Sequence, residues 1–333
     1  MRIAVFDSKR YDRAGLTKAN AAFGHKLEFF EDRLNRSTVP LAAGFDAVCP
    51  FVNDRVDAAT IEELARLGVK LITLRSAGFN SVDINAAAQH GIKVMRVPAY
   101  SPEGVAEHVF ALLLTLVRRT HRAYTRVRDG NFSLEGLVGF NLNGRTFGVV
   151  GAGKIGIATL RIAKGFGMKL IAYDRTPDNH YVTDLGGENV SFDELLQRAD
   201  IISLHTPLTQ ETHHLFGADV LFRMKRGAVI INTSRGGLID TEALLVALKS
   251  GQLGGVGLDV YEHEEGVFFE DLSFAALQDD LLARLTTFPN VIITSHQGFL
   301  TDEALSNIGH TVLANATAFE RGEPLVNEVL PSA

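Results

Sequence analysis

The first hundred residues show short apolar runs separated by stretches in which apolar residues recur at helical spacing. Residues 58–67 have this helical spacing and end at Gly68. The short apolar runs occupy residues 3–6, 47–48, 71–74 and 92–94. Alternation of short strands with helices is typical of a parallel sheet with crossover helices. The pattern predicts one α/β unit in this part of the chain.

A second series of apolar runs begins at residue 146. These runs are nearly all apolar, which predicts strands covered on both faces. They occupy residues 146–150, 169–173, 201–204, 228–232, 256–260 and 291–294, and helical spacing separates most of them, at residues 157–166, 192–198 and 241–250. The series predicts a complete doubly wound sheet. The fold class predicted for the chain is α/β, with two doubly wound parallel-sheet domains.

Two further helices are predicted outside these series. Ser101, Pro102 and Glu103 form a helix start, with a capping hydroxyl, an early proline and an early acid. The helical pattern runs from there to Asp129, and predicts a helix of more than 20 residues that bridges the domains or packs on one of them. Residues 301–319 are also helical in pattern, and they follow the last strand of the second series. This tail is therefore predicted to return to the first domain.

Composition narrows the class of protein. The chain has 333 residues, which suggests about two domains, and its net charge of −6 argues against a nucleic-acid binder. Cys49 is the single cysteine, so no internal disulfide can form. The longest apolar run, residues 109–117, is far shorter than the ~20 residues that span a bilayer. The N-terminal apolar stretch is too short for a signal peptide. We expect a soluble cytoplasmic protein with no membrane and no nucleic-acid partner.

A glycine-rich loop follows the predicted strand 146–150. Gly151, Gly153 and Gly156 form the pattern G-x-G-x-x-G, and a helical run begins within it. The first glycine allows a tight turn, the second lets the backbone approach a pyrophosphate, and the third lets helix and strand pack closely. The loop, including Lys154, is therefore predicted to bind a dinucleotide at a helix N-terminus.

An acidic residue follows the next predicted strand. Asp174 lies 18 residues after Gly156, where a carboxylate can accept both ribose hydroxyls and repel a 2′-phosphate. This favours NAD over NADP, although the neighbouring Arg175 leaves some NADP tolerance open. Gly148 to Lys154 also fits the phosphate loop of nucleotide hydrolases, but that loop needs Ser or Thr next, and this chain has Ile155.

Three charged residues follow later strands of the second series. Arg235, Glu264 and His296 lie after residues 228–232, 256–260 and 291–294. Ligands of open α/β sheets bind beyond the carboxyl ends of strands, so the three side chains are expected to converge beside the cofactor. Arginine can hold a carboxylate in two places, histidine can deliver a proton, and a neighbouring glutamate favours the protonated imidazole. Each residue alone also fits a purely structural role.

No metal site is predicted. Glu262, His263, Glu264 and Glu265 are metal-ligating types, but adjacent residues point in different directions. The pair His213-His214 is uninformative for the same reason. No second set of ligands has a suitable spacing, and the chain has neither a nucleophile elbow nor a pair of cysteines.

These motifs resemble the D-specific 2-hydroxyacid dehydrogenases, most closely the fermentative D-lactate dehydrogenases of bacteria. The resemblance covers essentially the whole chain. It rests on residues 74–80 (LRSAGFN), 97–102 (VPAYSP), 106–108 (AEH), 151–156 (GAGKIG), 205–209 (HTPLT), 231–240 (INTSRGGLID), 257–262 (GLDVYE), 295–301 (SHQGFLT), 268–272 (FFEDL) and 327–328 (NE).

The resemblance implies roles for named residues. Arg235, Glu264 and His296 would be catalytic, and the bound cofactor would be NAD. Further cofactor contacts would come from Ile155, Asp174, Thr206, Pro207, Thr233, Ser234 and Asp259. The substrate pocket would be shaped by the backbone around Ala77 and Gly78 together with Phe51, Tyr100 and Phe299. The implied substrate is a small 2-keto or 2-hydroxy acid, and the implied assembly is a homodimer or a dimer of dimers.

The resemblance also implies a domain arrangement. A Rossmann-type NAD-binding domain at residues 100–299 would be inserted into a flavodoxin-like substrate domain made of residues 1–99 and 300–333. This arrangement agrees with the two series of strands and the returning tail.

The expected activity is NADH-dependent reduction of a 2-keto acid to a D-2-hydroxy acid, most simply pyruvate to D-lactate. Two alternatives stay open. The same chemistry could serve larger keto acids such as phenylpyruvate or 2-ketoisocaproate. A protein of another class, a redox-sensing NAD-binding corepressor, could share the scaffold, but the intact set of Arg235, Glu264 and His296 argues against pure sensing.

Overall fold

Every pairing between strands in the described part of the chain, residues 1–176 and 179–331, is parallel. The computed structural model contains two compact units: residues 1–101 with the segment from Phe299 onward, and residues 102–298. Pro177, Asp178, Ser332 and Ala333, which fall inside the predicted domain ranges, lie outside the described residues.

The first unit has a five-stranded sheet in the order β2-β1-β3-β4-β5, the order of flavodoxin-like folds. Its strands are β1 (Arg2–Val5), β2 (Lys26–Phe29), β3 (Ala47–Cys49), β4 (Leu71–Thr73) and β5 (Lys93–Met95). Its helices are α1 (Arg10–Asn20), α2 (Ala58–Arg66), α3 (Ile84–Gln89) and α12 (Asp302–Arg321), with a short 3₁₀ turn at Val39–Ala42.

The second unit has a seven-stranded sheet in the order β12-β11-β10-β9-β6-β7-β8. Its strands are β6 (Thr146–Val150), β7 (Lys169–Tyr173), β8 (Glu188–Asn189), β9 (Ile201–Leu204), β10 (Ala228–Asn232), β11 (Leu253–Leu258) and β12 (Val291–Ile293). Read from β8, this is the doubly wound dinucleotide-binding order with one strand added at the far edge. All these strands run in the same direction, but the order in which successive strands are added reverses between β6 and β9. Ligands of such sheets bind at that point.

Helices cover both faces of the second sheet. The helices of this unit are α4 (Pro102–Arg118), α5 (Thr120–Arg128), α6 (Lys154–Gly165), α7 (His180–Asp184), α8 (Phe192–Arg198), α9 (Ala218–Arg223), α10 (Thr241–Lys249) and α11 (Asp280–Thr286), with a 3₁₀ turn at Gly236–Leu238. One apolar core lies on the side of α4 and α6, and a second lies on the side of α8 to α11. Both faces are therefore buried, as the apolar strands predicted.

The C-terminal helix α12 completes the first unit. It packs against α1 and β4, and its apolar residues join those of β1 in one core. Two glycines let the helices approach closely, because a Cβ on Gly309 would lie 3.2 Å from the carbonyl oxygen of Gly15. The predicted return of the tail to the first domain is what the structure shows.

The sequence pattern missed several short elements. Strands β2 and β8 lie at sheet edges, and their residues alternate between exposed and half-buried positions. An edge strand with charged residues lacks the continuous apolar run that marked the interior strands. Helices α1, α3, α7, α9 and α11 were also not predicted.

The predicted single helix from Ser101 to Asp129 is wrong. The structure divides it at Arg119, whose φ of 51° is left-handed, into α4 and α5. The guanidinium of Arg119 donates to the carbonyl oxygen of Gly136 at 2.6 Å, which ties the break to the following segment. Nine residues of α4 are buried but none of α5 is, so the second part lacks the packing that a continuous core helix would have.

The domain boundaries differ from the predicted ones by one or two residues. Tyr100 and Phe299, which lie in the predicted range of the second domain, belong to the first unit. Their rings meet edge to face with centroids 6.4 Å apart, which explains why they stay together. Across the described residues, no helix combines the length and apolar character needed to cross a bilayer.

Candidate active site

The glycine loop lies at the carboxyl end of β6 and leads into α6. Gly151 has a φ of +97°, and a Cβ there would lie 2.8 Å from the carbonyl carbon of His205. A Cβ on Gly156 would lie 2.1 Å from the carbonyl oxygen of Gly151. Both positions therefore require glycine.

Gly153 has a different environment within the same loop. A Cβ on this residue would meet nothing within 4 Å, and Gly153 precedes α6 without supplying a side-chain cap. The first N–H groups of α6 thus lack a side-chain cap from this residue, and the positive end of the helix dipole lies at this terminus. The residues present fit the pyrophosphate of a dinucleotide, with Lys154 and Ile155 forming the first turn of the helix.

Asp174 follows β7 and fixes the glycine loop. One carboxylate oxygen accepts from the Ala152 N–H at 2.7 Å, and the other accepts from the Thr176 N–H at 3.0 Å. Each oxygen retains a lone pair for a further donor. The carboxylate lines a cavity of about 340 Å³ whose walls include Gly151, Gly153, Arg175, Thr206 and Pro207. Six of the predicted cofactor residues thus share one cavity.

His205 is a residue of this cavity to which sequence reasoning gave no role. It follows β9, and its Nε2 lies 2.9 Å from the Ser203 hydroxyl. Burial of the ring lowers the pKa of His205 to about 3, so the imidazole is neutral at physiological pH. The signal that could have found it is its position directly after an apolar strand.

The turn after β10 carries Arg235. Asn232 shapes this turn, because its side chain accepts from the Ser234 N–H at 3.0 Å and donates to the Arg235 carbonyl at 2.9 Å. The Ser234 hydroxyl donates to the carbonyl oxygen of Thr206 at 2.7 Å, which links the turn to the loop after β9. Among the described residues, the buried hydroxyl of Thr233 has no hydrogen-bond partner. A buried hydroxyl in that condition fits a position that a ligand completes.

Glycine also connects this turn to the segment after β11. A Cβ on Gly236 would lie 2.0 Å from the carbonyl carbon of Tyr261. The two loops can therefore approach closely only because this residue has no side chain. Arg235 is half-buried, and its Nη1 donates to the Ser234 carbonyl at 2.7 Å.

Glu264 and His296 form a hydrogen-bonded pair. His296 Nδ1 lies 3.2 Å from Glu264 Oε1, and both side chains are largely buried. The other carboxylate oxygen of Glu264 is buried and has no partner among the described residues. Because Nδ1 faces the carboxylate, Nε2 is the ring nitrogen that can exchange a proton with a ligand.

Arg235, Glu264 and His296 follow three neighbouring strands, β10, β11 and β12. The predicted convergence is therefore partly visible. Glu264 and His296 are hydrogen-bonded to each other, and Arg235 lies at the same carboxyl end of the sheet. Within residues 1–176 and 179–331, no hydrogen bond or ion pair joins Arg235 to Glu264 or His296.

Asp259 supports the segment that carries His296. Its Oδ1 accepts from His108 Nε2 at 3.1 Å and from the Gln297 N–H at 2.9 Å, and its Oδ2 accepts from the Gly298 N–H at 2.9 Å. Burial raises the pKa of Asp259, but hydrogen bonds from His108 and Thr294 outweigh it and lower the pKa to about 2. The carboxylate is thus an anchor for residues 294–298. His108 was not among the site residues predicted from the sequence.

The predicted substrate residues lie in the first unit, beyond the carboxyl ends of its strands. Phe51 follows β3, and its ring lies 4.9 Å below the guanidinium of the buried Arg75. Arg75 also pairs with Asp12 at 3.0 Å. The carboxylate of Asp54 accepts from the Phe51 N–H at 2.7 Å. Burial raises the pKa of Asp54 to about 7, although that hydrogen bond and Arg75 lower it in part. These contacts fix the position of Phe51, and sequence reasoning named neither Arg75 nor Asp54.

Ala77 and Gly78 lie in a bend after β4. Their carbonyl oxygens accept from Arg96 at 3.2 Å and from the Ser76 hydroxyl at 2.6 Å. Among the described residues, no hydrogen bond engages their two N–H groups. Consecutive N–H groups of this kind can receive an anion.

Tyr100 and Phe299 complete the predicted substrate set. The Phe299 ring lies 6.4 Å from Tyr100 and 6.3 Å from Tyr11, in edge-to-face contact with both. Burial and the nearby Asp12 raise the pKa of Tyr11, which keeps its hydroxyl neutral. The first unit thus presents a cluster of three aromatic rings, Tyr11, Tyr100 and Phe299.

Comparison with known proteins agrees with this architecture. The family model for the D-isomer specific 2-hydroxyacid dehydrogenase, NAD binding domain, matches residues 110–298. A 2-hydroxyacid dehydrogenase homolog of Haemophilus influenzae is 52% identical over 332 residues, covering 100% of both chains. The D-lactate dehydrogenase of Escherichia coli is 51% identical over 330 residues, covering 99% of this chain and 100% of that protein.

A solved structure is also similar over almost the whole chain. The pyruvate reductase of Chlamydomonas reinhardtii superposes with a TM-score of 0.93 at 46% identity, covering 98% of each chain. The chain belongs to the family of D-isomer-specific 2-hydroxyacid dehydrogenases, which are NAD-dependent oxidoreductases, and residues 110–298 form its NAD-binding domain.

Proposed function

We propose that this protein reduces pyruvate to D-lactate with NADH, through Arg235, Glu264 and His296. The observation that carries the proposal is the Glu264–His296 pair, with Nδ1 and Oε1 at 3.2 Å, which follows strands of the same parallel sheet as the glycine loop and so lies at its carboxyl end. Relatives named D-lactate dehydrogenase and pyruvate reductase support pyruvate as the substrate.

Arg235 binds the substrate carboxylate. Its guanidinium offers a planar pair of donors that matches a carboxylate, which fixes the orientation of the keto carbon before reaction. The turn that carries Arg235 is hydrogen-bonded at Asn232 and closed at Gly236. Little reorganisation is then needed when the substrate binds.

His296 supplies the proton. Protonated at both nitrogens, it donates from Nε2 to the oxygen that becomes the hydroxyl, while Nδ1 remains bonded to Glu264. The negative charge of Glu264 favours the protonated ring and stabilises its orientation. In the reverse direction the same nitrogen accepts the hydroxyl proton.

The cofactor is held by residues of the second unit. The glycine loop with Lys154 and Ile155 holds the pyrophosphate, and Asp174 accepts the ribose hydroxyls, with Arg175 beside it. The rest of the cofactor is contacted by Thr206, Pro207, Thr233 and Ser234. Asp259 supports the segment at the nicotinamide end. When bound, NADH supplies the hydride for the keto carbon.

The aromatic residues Phe51, Tyr100 and Phe299, with the N–H groups near Ala77 and Gly78, select the substrate. Bulky walls of this kind suit the methyl group of pyruvate better than a large side chain. The alternative, a preference for phenylpyruvate or 2-ketoisocaproate, requires that the same rings stack on the substrate instead of excluding it.

The test is a steady-state panel of keto acids followed by NADH oxidation. We expect kcat/KM to be highest for pyruvate, moderate for 2-ketobutyrate and low for phenylpyruvate, with D-lactate as the product and NADH preferred to NADPH. A clear preference for phenylpyruvate would refute pyruvate as the substrate. Absence of turnover with every keto acid, despite NADH binding, would instead favour an NAD-sensing role.

We also propose that the protein is a homo-oligomer. No residue of α5 is buried, and Phe132, Leu134 and Val138 beyond it are 74%, 79% and 83% exposed. Arg126 holds this segment in place by donating to the Glu135 carbonyl at 2.7 Å. An ordered surface segment that exposes several large apolar side chains is typical of an interface between subunits.

A further inference from the structure

The loop after β9 and the segment after β11 bring three metal-ligating side chains together. The side-chain ligand atoms of His213, His214 and Glu262 all lie within 4.8 Å of one another. We propose that these three residues form a binding site for a zinc-like divalent cation, separate from the catalytic groups. The site would connect two loops that are 48 residues apart in the sequence, measured from His214 to Glu262.

Hydrogen bonds to both carboxylate oxygens orient Glu262 for this role. Its Oε1 is hydrogen-bonded to His214 Nε2, and its Oε2 accepts from the Thr241 hydroxyl at 2.9 Å and from the Thr241 N–H at 3.3 Å. A carboxylate held by outer partners is typical of metal sites.

The two histidines face the same way because they lie in a turn. Their rings stack with centroids 3.9 Å apart and planes 24° apart. The backbone fixes this arrangement, since the His213 N–H donates to the Thr209 carbonyl at 2.9 Å and the His214 N–H donates to the Gly237 carbonyl at 2.8 Å. Adjacent residues diverge in a strand, but here the turn directs both imidazoles towards Glu262.

His214 has a second carboxylate on its other side. Asp240 Oδ2 lies 4.0 Å from His214 Nδ1, while Asp240 Oδ1 accepts from the Ala243 N–H at the start of α10. Once a cation takes the place of the Nε2 proton, a carboxylate near the non-ligating nitrogen favours the tautomer with the proton on Nδ1. That tautomer leaves the Nε2 lone pair available for a cation.

The donor set selects the kind of cation. Two imidazoles and one carboxylate suit zinc and similar late transition metals, whereas magnesium and calcium prefer oxygen ligands alone. Zinc with three protein ligands takes water in the fourth position, and its ligand atoms are roughly 3.4 Å apart at bond lengths of ~2.1 Å. His213 is exposed, so its side chain can close the difference. The cation replaces the hydrogen between His214 and Glu262, and any proton on that nitrogen is released to solvent.

The test is zinc binding to the full chain, with two matched substitutions. His213→Gln removes one imidazole ligand at an exposed position. His263→Gln removes an exposed imidazole next to Glu262 that is not part of the cluster. Zinc affinity is measured by competition with a chromophoric chelator, and Co²⁺ absorption reports the ligand field. Reductase activity without added metal should be the same in all three proteins, which confirms that each is folded.

We expect one zinc ion per chain in the wild type and in His263→Gln. Loss of a residue that only supports a metal ligand lowers metal affinity roughly ten- to hundredfold. Because His213→Gln removes a direct ligand, its zinc affinity should fall by at least that factor. The Co²⁺ spectrum should change in the same variant alone. Zinc should also raise the melting temperature of the wild type and of His263→Gln, but not of His213→Gln.

Three results would overturn the proposal. They are no saturable binding at micromolar zinc in the wild type, unchanged affinity in His213→Gln, and an equal loss of affinity in both variants. The last result would place the ion elsewhere on the surface. In all three cases the His214–Glu262 pair would serve only to hold the two loops together.

Discussion

At the scale of single residues, the backbone conformation of His296 is unusual for the proposed proton donor. His296 has a left-handed φ of 50°, a conformation that costs a non-glycine residue roughly 1–2 kcal/mol. The segment is held in this conformation because the His296 N–H donates to the Asp259 carbonyl at 2.7 Å. The same arrangement brings Nδ1 to Glu264. Local strain thus persists where it sets the direction of a proposed catalytic group.

The role of His296 predicts the effect of His296→Asn. Asparagine tolerates the left-handed conformation, so the fold of the segment should be retained. Because the general acid is lost, kcat for pyruvate should fall about 10²- to 10⁴-fold. The Kd for NADH, measured by fluorescence titration, should stay close to that of the wild type. A loss of less than about tenfold would remove His296 from the role of proton donor.

Glu264→Gln tests the partner of His296. The variant retains the shape of the side chain but removes the charge that favours the protonated imidazole. In the proposed mechanism the reduction of pyruvate requires that protonated form, so the upper pH limit of kcat/KM should move to lower pH. The measurement is a pH profile of both proteins at saturating NADH, with Glu265→Gln as the control for loss of a nearby exposed charge. If the limit does not move, Glu264 does not act on His296.

At the scale of secondary structure, the sequence predicted interior elements better than edge elements. Strands β6, β7, β9 and β10 have the predicted bounds, because each is a continuous apolar run between polar residues. Strand β8 has two residues, a glutamate and an asparagine, at the sheet edge. Its existence depends on pairing with β7, and no local pattern indicates that pairing.

The candidate site shows the same division. Arg235, Glu264 and His296 could be selected from the sequence because each follows a strand that is itself recognisable. The buried pair of Arg75 and Asp12, at 3.0 Å, joins residues 63 positions apart and has no local signature. The grouping of His213 and His214 with Glu262 depends in addition on a turn conformation that adjacent letters do not reveal.

Asp259 links β11 to the segment after β12, and its ionisation predicts a pH dependence. Its pKa is about 2 in the folded protein, against an ordinary value of 3.8. The folded state thus favours the carboxylate, and the contribution to stability is present above pH 3.8 and is lost as the pH falls towards 2. By linkage this contribution is about 2 kcal/mol.

Asp259→Asn tests this contribution. The free energy of unfolding of the variant should be lower than that of the wild type by about 2 kcal/mol at pH 6. The gap should persist down to about pH 4 and narrow below it, because the carboxylate of the unfolded wild-type chain takes up its proton at higher pH than that of the folded chain. Urea titrations at several pH values measure both quantities. A gap that is the same at pH 6 and at pH 2.5 would mean that lost packing, rather than charge, explains the effect.

At the scale of the whole molecule, both units use the same construction, with functional groups placed after parallel strands. The sequence predicted this, because two series of apolar runs are separated by one long helical stretch. It did not predict the exposed apolar surface formed by α5 and residues 131–138. An apolar residue can be recognised as exposed only when the structure shows which apolar residues are buried.

The surface beyond α5 predicts that substitution will change the oligomeric state. In a double variant, Phe132→Asp with Leu134→Lys, the molar mass from light scattering should fall from a multiple of the chain mass to that of one chain. Phe274→Asp is the control, because Phe274 is also fully exposed but lies far away in sequence. A wild-type protein that is already monomeric would contradict the homo-oligomer itself. A double variant that stays assembled would exclude this surface as the interface.

The separation of groups between the two units predicts that specificity and catalysis respond to different substitutions. Phe299 belongs to the first unit, where its ring contacts Tyr11 and Tyr100, whereas His296 belongs to the second. Phe299→Ala removes an aromatic wall, and each methylene in such a pocket is worth about 1–3 kcal/mol. The ratio of kcat/KM for phenylpyruvate to that for pyruvate should therefore rise by about tenfold or more, with NADH affinity unchanged. His296→Asn should lower kcat for both keto acids alike.

Phe23→Ala serves as the control for lost packing, because it removes a half-buried ring that packs on His310 in the same unit as Phe299. If Phe23→Ala shifts the ratio as much as Phe299→Ala does, the aromatic cluster does not select the substrate.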